Sequence, residues 1–194
     1  MPTTGARVGV LALQGDFREH MRLLESCGAS VVPIRLPEEL TGLQGLVIPG
    51  GESTTMSRLI GTAGLLEPIQ EAVAGGMACL TTCAGTILAA REIRDGLPGQ
   101  IHLQILDIAV RRNAFGRQLQ SEEVELDIPA VGRPPVLVAF IRAPAIEQVG
   151  EKVEVLVTYR SQPAAVRQGR HLALTFHPEI TGDPRLHRLF LATL

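Results

Sequence analysis

Three groups with reactive chemistry stand where strand-like runs of this sequence end. Cys83 closes the apolar run Met77-Ala78-Cys79-Leu80-Thr81-Thr82 and is followed by Ala84-Gly85, a pair small enough for a tight strand-to-helix turn. His177-Pro178-Glu179 directly follows the run Leu172 to Phe176. A thiol at a helix N-terminus, beside an imidazolium, has a lowered pKa and becomes a nucleophile. Residues two apart in an extended chain point to one side, and Pro178 fixes the backbone between them. His177 is therefore expected to face Cys83 while Glu179 reaches the other ring nitrogen, as nucleophile, base and orienting carboxylate. The turn at Cys83 resembles a strained nucleophile elbow. The N–H of Ala84 and an N–H from the Gly50-Gly51 loop are candidate donors to an oxyanion.

Plainer readings stand beside these. A cysteine is often just a small buried apolar residue, which is the reading for Cys79 and Cys27. The Gly50-Gly51 loop is equally a strand-to-helix turn, and a histidine before proline is more often structural than catalytic. Cys79, Cys83 and His177 lack the second close pair that a zinc set needs, so no metal is expected.

These groups must be positioned by a sheet. Arg7 to Leu13 is nearly continuous in apolar residues, as a strand buried on both faces would be. Asp16 is placed to cap a helix that runs to about Cys27, and Gly28 to stop it. Ser30–Ile34 and Gly45–Ile48 read as further strands, so strand, helix and strand form a parallel crossover unit. Pro49-Gly50-Gly51-Glu52-Ser53-Thr54-Thr55 leaves the third strand at the edge where open α/β sheets bind ligands. Helices are expected around Met56–Ile60 and Leu65–Ala74, then the strand ending at Cys83 and a helix from near Gly85. Short strands follow at Ile105–Val110, Val124–Ile128, Val136–Ile141, Val153–Tyr159 and Ala164–Val166, read as a partly antiparallel extension of the first sheet. After Leu172–Phe176, Pro184 opens a last amphipathic helix with Leu186, Leu189, Phe190 and Leu194 on its apolar side.

The 194 residues fit one domain with a substantial core. A net charge of −2 gives no electrostatic reason for a nucleic acid or an anionic membrane as partner. No apolar run approaches a membrane span, and the first such run breaks at Gln14-Gly15-Asp16, too short for a signal-peptide core. Three cysteines without a framework pattern fit a reducing cytoplasm.

Taken together, the motifs resemble the class I, triad-type glutamine amidotransferases, and within them the glutaminase subunits of pyridoxal phosphate synthase. The resemblance covers nearly the whole chain. It rests on Gly9-Val10-Leu11-Ala12-Leu13-Gln14-Gly15 with Arg18-Glu19-His20, Pro49 to Met56, Thr82-Cys83-Ala84-Gly85, Arg112-Asn113-Ala114-Phe115-Gly116-Arg117-Gln118, Ile141-Arg142-Ala143-Pro144 and Phe176-His177-Pro178-Glu179. The most specific stretches are Gly50 to Thr55 and Arg112 to Gln118.

The family implies a three-layer α/β fold, flavodoxin-like, with a mostly parallel central sheet and helices on both faces, over residues 1–194. It implies hydrolysis of L-glutamine to L-glutamate and ammonia by Cys83, His177 and Glu179, with no cofactor. Gly51, Glu52, Ser53, Arg112, Ile141 and Arg142 would hold the substrate. A carboxylate at Glu52 suits an α-ammonium, and the two arginines suit a carboxylate. The partner implied is the synthase subunit, which would receive the ammonia, with Gln14 coupling its docking to activation. Two departures from the family pattern occur: Thr81 replaces a usual glycine two residues before the nucleophile, and Gln104 stands where glycine is common. Thr81 is stiffer than glycine, so altered packing at the elbow is expected. Competing readings are the glutaminase of another biosynthetic pathway and a redox-sensing α/β protein; neither accounts for both the Arg112 to Gln118 and the His177 to Glu179 motifs.

Overall fold

Strands buried on both faces form the centre of the molecule. The computed structural model describes residues 5–112 and 121–194, so the 113–118 part of the Arg112 to Gln118 motif lies outside the described residues. The first half contains β1 (Arg7–Leu11), α1 (Phe17–Ser26), β2 (Ser30–Ile34), β3 (Gly45–Ile48), α2 (Ser53–Thr62), α3 (Leu66–Ala74), β4 (Ala78–Thr82) and α4 (Ala84–Ala89). The second half contains β5 (Ala90–Ile93), β6 (Leu106–Arg111), β7 (Ser121–Leu126), β8 (Val136–Ile141), β9 (Ala145–Val149), β10 (Glu154–Tyr159), β11 (Gln162–Gln168), β12 (His171–Leu174), α5 (Pro178–Thr181) and α6 (Arg185–Leu191).

The central sheet has the order β10-β11-β12-β4-β3-β1-β2. Its five strands from β12 to β2 run parallel, and β10 and β11 add an antiparallel margin. Side chains alternate across it. Leu46, Ile48 and Cys79 pack with Met56, Ile60, Ile69, Ile87 and Leu88 on one face. Val8, Val10, Val47, Leu80 and Leu174 pack with Leu24, Val138, Leu186 and Phe190 on the other. That burial on both faces is why the parallel strands read as unbroken apolar runs.

The mostly parallel three-layer architecture is as expected, and β2, β3 and β8 keep their expected bounds. The second half departs from expectation. Only β10 and β11 extend the first sheet. The segments around Leu106 to Arg111 and Ser121 to Ile141 instead form two small sheets, β5-β6-β9 and β7-β8. In Ser121–Leu126 exposed positions alternate with more buried ones, because this strand covers a face of the central sheet and keeps its other face in solvent. β1 stops at Leu11, and α2 starts at Ser53 rather than near Met56.

Four strand ends meet along one edge. β1, β3, β4 and β12 are neighbours or next neighbours and run parallel, so the residues after each emerge together. Those residues include Gln14 and Asp16, the Gly50-Gly51 loop, Cys83, and His177.

Candidate active site

The nucleophile position is set by an elbow. Cys83 has φ 44° and ψ −104°, in the left-handed half of backbone space that a side-chain-bearing residue rarely occupies. The turn is pinned on both sides. The Cys83 N–H donates to Leu174 O at 2.9 Å, and the carbonyl of Cys83 accepts from Thr86 and Ile87 in α4. Gly85 is required by contact: a Cβ there would lie 2.0 Å from Ile48 O and 3.0 Å from Pro49 O. Thr81 is an ordinary, fully buried strand residue paired with Ile48 and Ala173. Its hydroxyl bonds that of Thr86 at 2.9 Å, and Thr86 Oγ1 donates to Leu174 O at 2.7 Å. The elbow therefore forms without the usual glycine, with a hydroxyl pair filling the space beneath it.

His177 is held by backbone and ring together. Its N–H donates to Ala139 O of β8 at 2.8 Å. Its Nδ1 lies 2.7 Å from Glu179 Oε1, and its ring lines the same cleft as Cys83. The structure thus brings the three groups together in the order thiol, imidazole, carboxylate. Their route differs from the extended tripeptide expected: Pro178 and Glu179 already belong to α5, with His177 as its N-terminal cap position. Proline at the first helical position costs no hydrogen bond there, and the turn of α5 swings Glu179 back onto the ring.

The electrostatics follow from burial and neighbours. Burial alone would disfavour charge on His177, but its neighbours Asp16, Cys83 and Glu179 outweigh it and hold the imidazolium well above its ordinary pKa. Glu179 is also buried, yet His20 and His177 keep its carboxyl well below the usual range. Cys79 is the opposite case: burial without a partner pushes its thiol up to about 12. Cys79 packs in the core and Cys27 follows the end of α1, as expected of both.

A cleft of about 350 Å³ opens over Cys83. Of the residues singled out from sequence, Gln14, Gly51, Glu52, Ser53, Cys83, Ala84, Arg112, Ile141, Arg142 and His177 all line it, with Glu179 behind His177. Gly51 has φ 154°, and the Gln14 amide lies where its Cβ would be. Gln14 Oε1 also accepts from the Glu52 N–H at 2.9 Å, so the end of β1 braces the glycine loop. Ile141 O lies 3.7 Å from Cys83 Sγ.

Glu52 has two tasks. One oxygen, Oε2, caps α2 by accepting from Thr54 Oγ1, Thr55 Oγ1 and Thr55 N–H. The other, Oε1, stands 3.7 Å from Arg112. These bonds outweigh partial burial and hold its carboxyl down to about 2. An acidic side chain three residues before Thr55 is a capping signal that was legible in the sequence.

The sequence reading missed Asp16, Ile87 and Ile180 in the lining, and His20 and His187 behind it. Asp16, expected only to cap α1, makes no capping bond there. It lies 3.4 Å from His177 Nδ1. Asp16, His177 and Glu179 bring possible ligand atoms within 4.8 Å of one another. The Nδ1 that a metal would need is taken by Glu179, and two carboxylates around one ring nitrogen are the setting of an imidazolium. Among the described residues, no helix is long and apolar enough to cross a membrane.

Comparison with known proteins matches residues 10–194 to the SNO glutamine amidotransferase family. The chain is 53% identical over 188 residues to the pyridoxal 5'-phosphate synthase subunit PdxT of Frankia alni, covering 97% of this chain and 94% of that one. It is 54% identical over 185 residues to the same subunit of a Parafrankia species, covering 95% and 91%. Among solved structures, a crystal structure of a glutamine amidotransferase superposes with a TM-score of 0.89 at 48% identity, covering 96% of this chain and 97% of that one.

Proposed function

The chain belongs to the SNO glutamine amidotransferase family, and from that premise we propose how it works as the glutaminase subunit of a pyridoxal 5'-phosphate synthase. It hydrolyses L-glutamine to L-glutamate and ammonia and works with a synthase partner that uses the ammonia. The observation that supports the assignment of roles most directly is the strained elbow at Cys83, sharing one cleft with the His177 ring that is bonded to Glu179.

In this reading the Cys83 thiolate attacks the side-chain amide carbon of glutamine. Backbone N–H groups of Gly51 and Ala84 receive the developing oxyanion. His177 protonates the departing ammonia, leaving a glutamyl thioester, then takes a proton from water as the water cleaves the thioester. Glu179 keeps the proton on Nδ1 so that Nε2 serves the reaction. Arg112 and Arg142 suit the substrate α-carboxylate, and Oε1 of Glu52, the oxygen not used in capping α2, its α-ammonium. Gly51, Ser53 and the Ile141 backbone complete the substrate contacts.

Released ammonia must reach the synthase unprotonated, since ammonium in bulk water is no nucleophile. Direct docking of the two subunits as a hetero-oligomer meets that need. Gln14 braces the glycine loop from the end of β1, so a partner pressing there would set the oxyanion donors; this is how docking would raise activity. Residues 1–194 act as one amidotransferase domain in the cytoplasm, with no membrane or nucleic acid as partner.

The test measures ammonia release from glutamine with and without a purified synthase subunit, for the natural chain and Cys83→Ala. Stimulation by the synthase and loss of activity in Cys83→Ala are expected. Absence of stimulation refutes the partnership, and activity in Cys83→Ala refutes the nucleophile.

A further inference from the structure

Behind the triad lies a second polar chain that the reaction just described does not use. His20 of α1 and His187 of α6 are both fully buried. Their rings meet through His20 Nδ1 and His187 Nε2 at 2.8 Å. His20 Nε2 stands 3.2 Å from Thr82 Oγ1, on the residue before the nucleophile, and 3.4 Å from Glu179 Oε2. The contact to Glu179 lies off the axis of a hydrogen bond, for Oε2 has no aligned partner among the described residues.

The proton positions along this chain follow from one orphan atom. His187 Nδ1 is buried and has no hydrogen-bond partner among the described residues. A buried N–H left unpaired is rarer and costlier than a bare lone pair. His187 therefore carries its proton on Nε2 and donates to His20 Nδ1. His20, accepting there, must carry its own proton on Nε2, facing Thr82 and Glu179. Burial holds the His187 pKa down to about 3, against the pull of Glu179 and Asp183, which agrees with a neutral His187.

We infer that His20 is a positioning residue for the triad: with its tautomer fixed by His187, its Nε2–H stabilises the inner oxygen of Glu179 and ties the elbow strand at Thr82 to the same point. The inference rests on the glutaminase reading of Cys83 for its catalytic consequence. Glu179 gives one oxygen to His177 and turns the other toward His20, so the carboxylate can stay ionised while buried. Without His20, the inner oxygen loses the N–H dipole that faces it at 3.4 Å, and Glu179 takes up a proton at higher pH. The other titratable groups facing this cluster are Asp16, His177 and Cys83 on the cleft side and Asp183 near His187.

Two measurements test this. In the full natural chain labelled with ¹⁵N-histidine, long-range proton–nitrogen correlation at neutral pH should show protonated Nε2 and bare Nδ1 on both His20 and His187. A bare Nε2 on His20, or a proton on Nδ1 of His187, overturns the inference without any variant having to fold. In the complex with the synthase, His20→Leu should lower kcat about tenfold with KM nearly unchanged, and raise the acidic limb of the kcat/KM profile by about one pH unit. His20→Gln, whose amide N–H reaches the Nε2 position, should restore most of both. An unmoved limb in folded His20→Leu, or a His20→Gln no better than it, refutes the role. If His20→Leu does not fold, His187→Phe, which removes the donor that fixes the tautomer, should move the same limb in the same direction, and an unmoved limb again refutes it. A natural complex with no glutaminase activity at all would sink the proposed function instead and leave the tautomers standing.

Discussion

Adding a single methyl group at Gly50 should disable the site while sparing the fold. A Cβ at Gly50 would lie 2.2 Å from His177 Cε1, 2.8 Å from Nδ1 and 3.2 Å from Nε2. Carbon atoms settle at about 3.5 Å, so the closest contact falls short by about 1.3 Å. The ring has little room to retreat, because Nδ1 is bonded to Glu179 at 2.7 Å and its backbone to Ala139. The loop is held as well, with Gly50 O accepting from the Asp16 N–H at 3.2 Å. Ring or loop must move by about 1 Å, and a displacement of that size costs on the order of 10²-fold in rate. Overpacking of this kind costs about 1–3 kcal/mol of stability, so Gly50→Ala should fold. The assay is kcat and KM for glutamine in the synthase complex, beside the rate of Cys83 alkylation by iodoacetamide and a thermal melt. A folded Gly50→Ala whose kcat lies within about threefold of the natural chain, with unchanged alkylation, would refute the placement of His177 against this loop.

Three further outcomes are expected. Gly85→Ala sets a methyl against the Ile48 and Pro49 carbonyls, both backbone; a loss of about 3 kcal/mol should lower Tm by about 6–12 °C, read by calorimetry. Cys79, its thiol held up to about 12 by burial, should resist iodoacetamide in the native protein at neutral pH while Cys83 reacts, as peptide mass mapping would show. Cys79→Ala should keep glutaminase activity and lose only about 1 kcal/mol. Glu52 has its folded pKa lowered to about 2 from an ordinary 4.5, so its contribution is complete above about pH 4.5 and is lost as pH falls toward 2. Its carboxylate is partly exposed and screened, so Glu52→Gln should cost about 1 kcal/mol or less at neutral pH. In urea melts it should flatten the stability curve between pH 4.5 and 2; an unchanged slope there would refute the capping role.

Cys83, His177 and Glu179 were readable because each stands at the end of an apolar run, and small neighbours mark the turn at Cys83. Asp16 was not, since an aspartate before a helix looks like a cap. Only the parallel placement of β1 beside β3 brings it to His177. His20 and His187 escaped for a related reason. On an amphipathic helix a buried histidine shares its face with leucines, and nothing in the spacing reveals that two such faces meet across the C-terminal edge. The separate hairpin of β7 and β8 was hidden because alternation announces a half-buried strand without saying which sheet it joins. Gln104, where the family resemblance implied a glycine, has φ 55°, a left-handed position that glycine takes without strain.

The place of β12 in the sheet has a bearing on how the protein is made. This strand, late in the chain, is wedged between β4 and β11, and it carries the base to the thiol. On a ribosome, β1 to β4 and the cysteine emerge long before it, and N-terminal segments organise first. Until β12 slots in beside β4, Cys83 lacks both the Leu174 carbonyl that pins its turn and the His177 ring that completes its cleft. The thiol, base and carboxylate therefore come together only when the sheet is complete, so the site is assembled by the last strand to join rather than by the half of the chain that carries the cysteine.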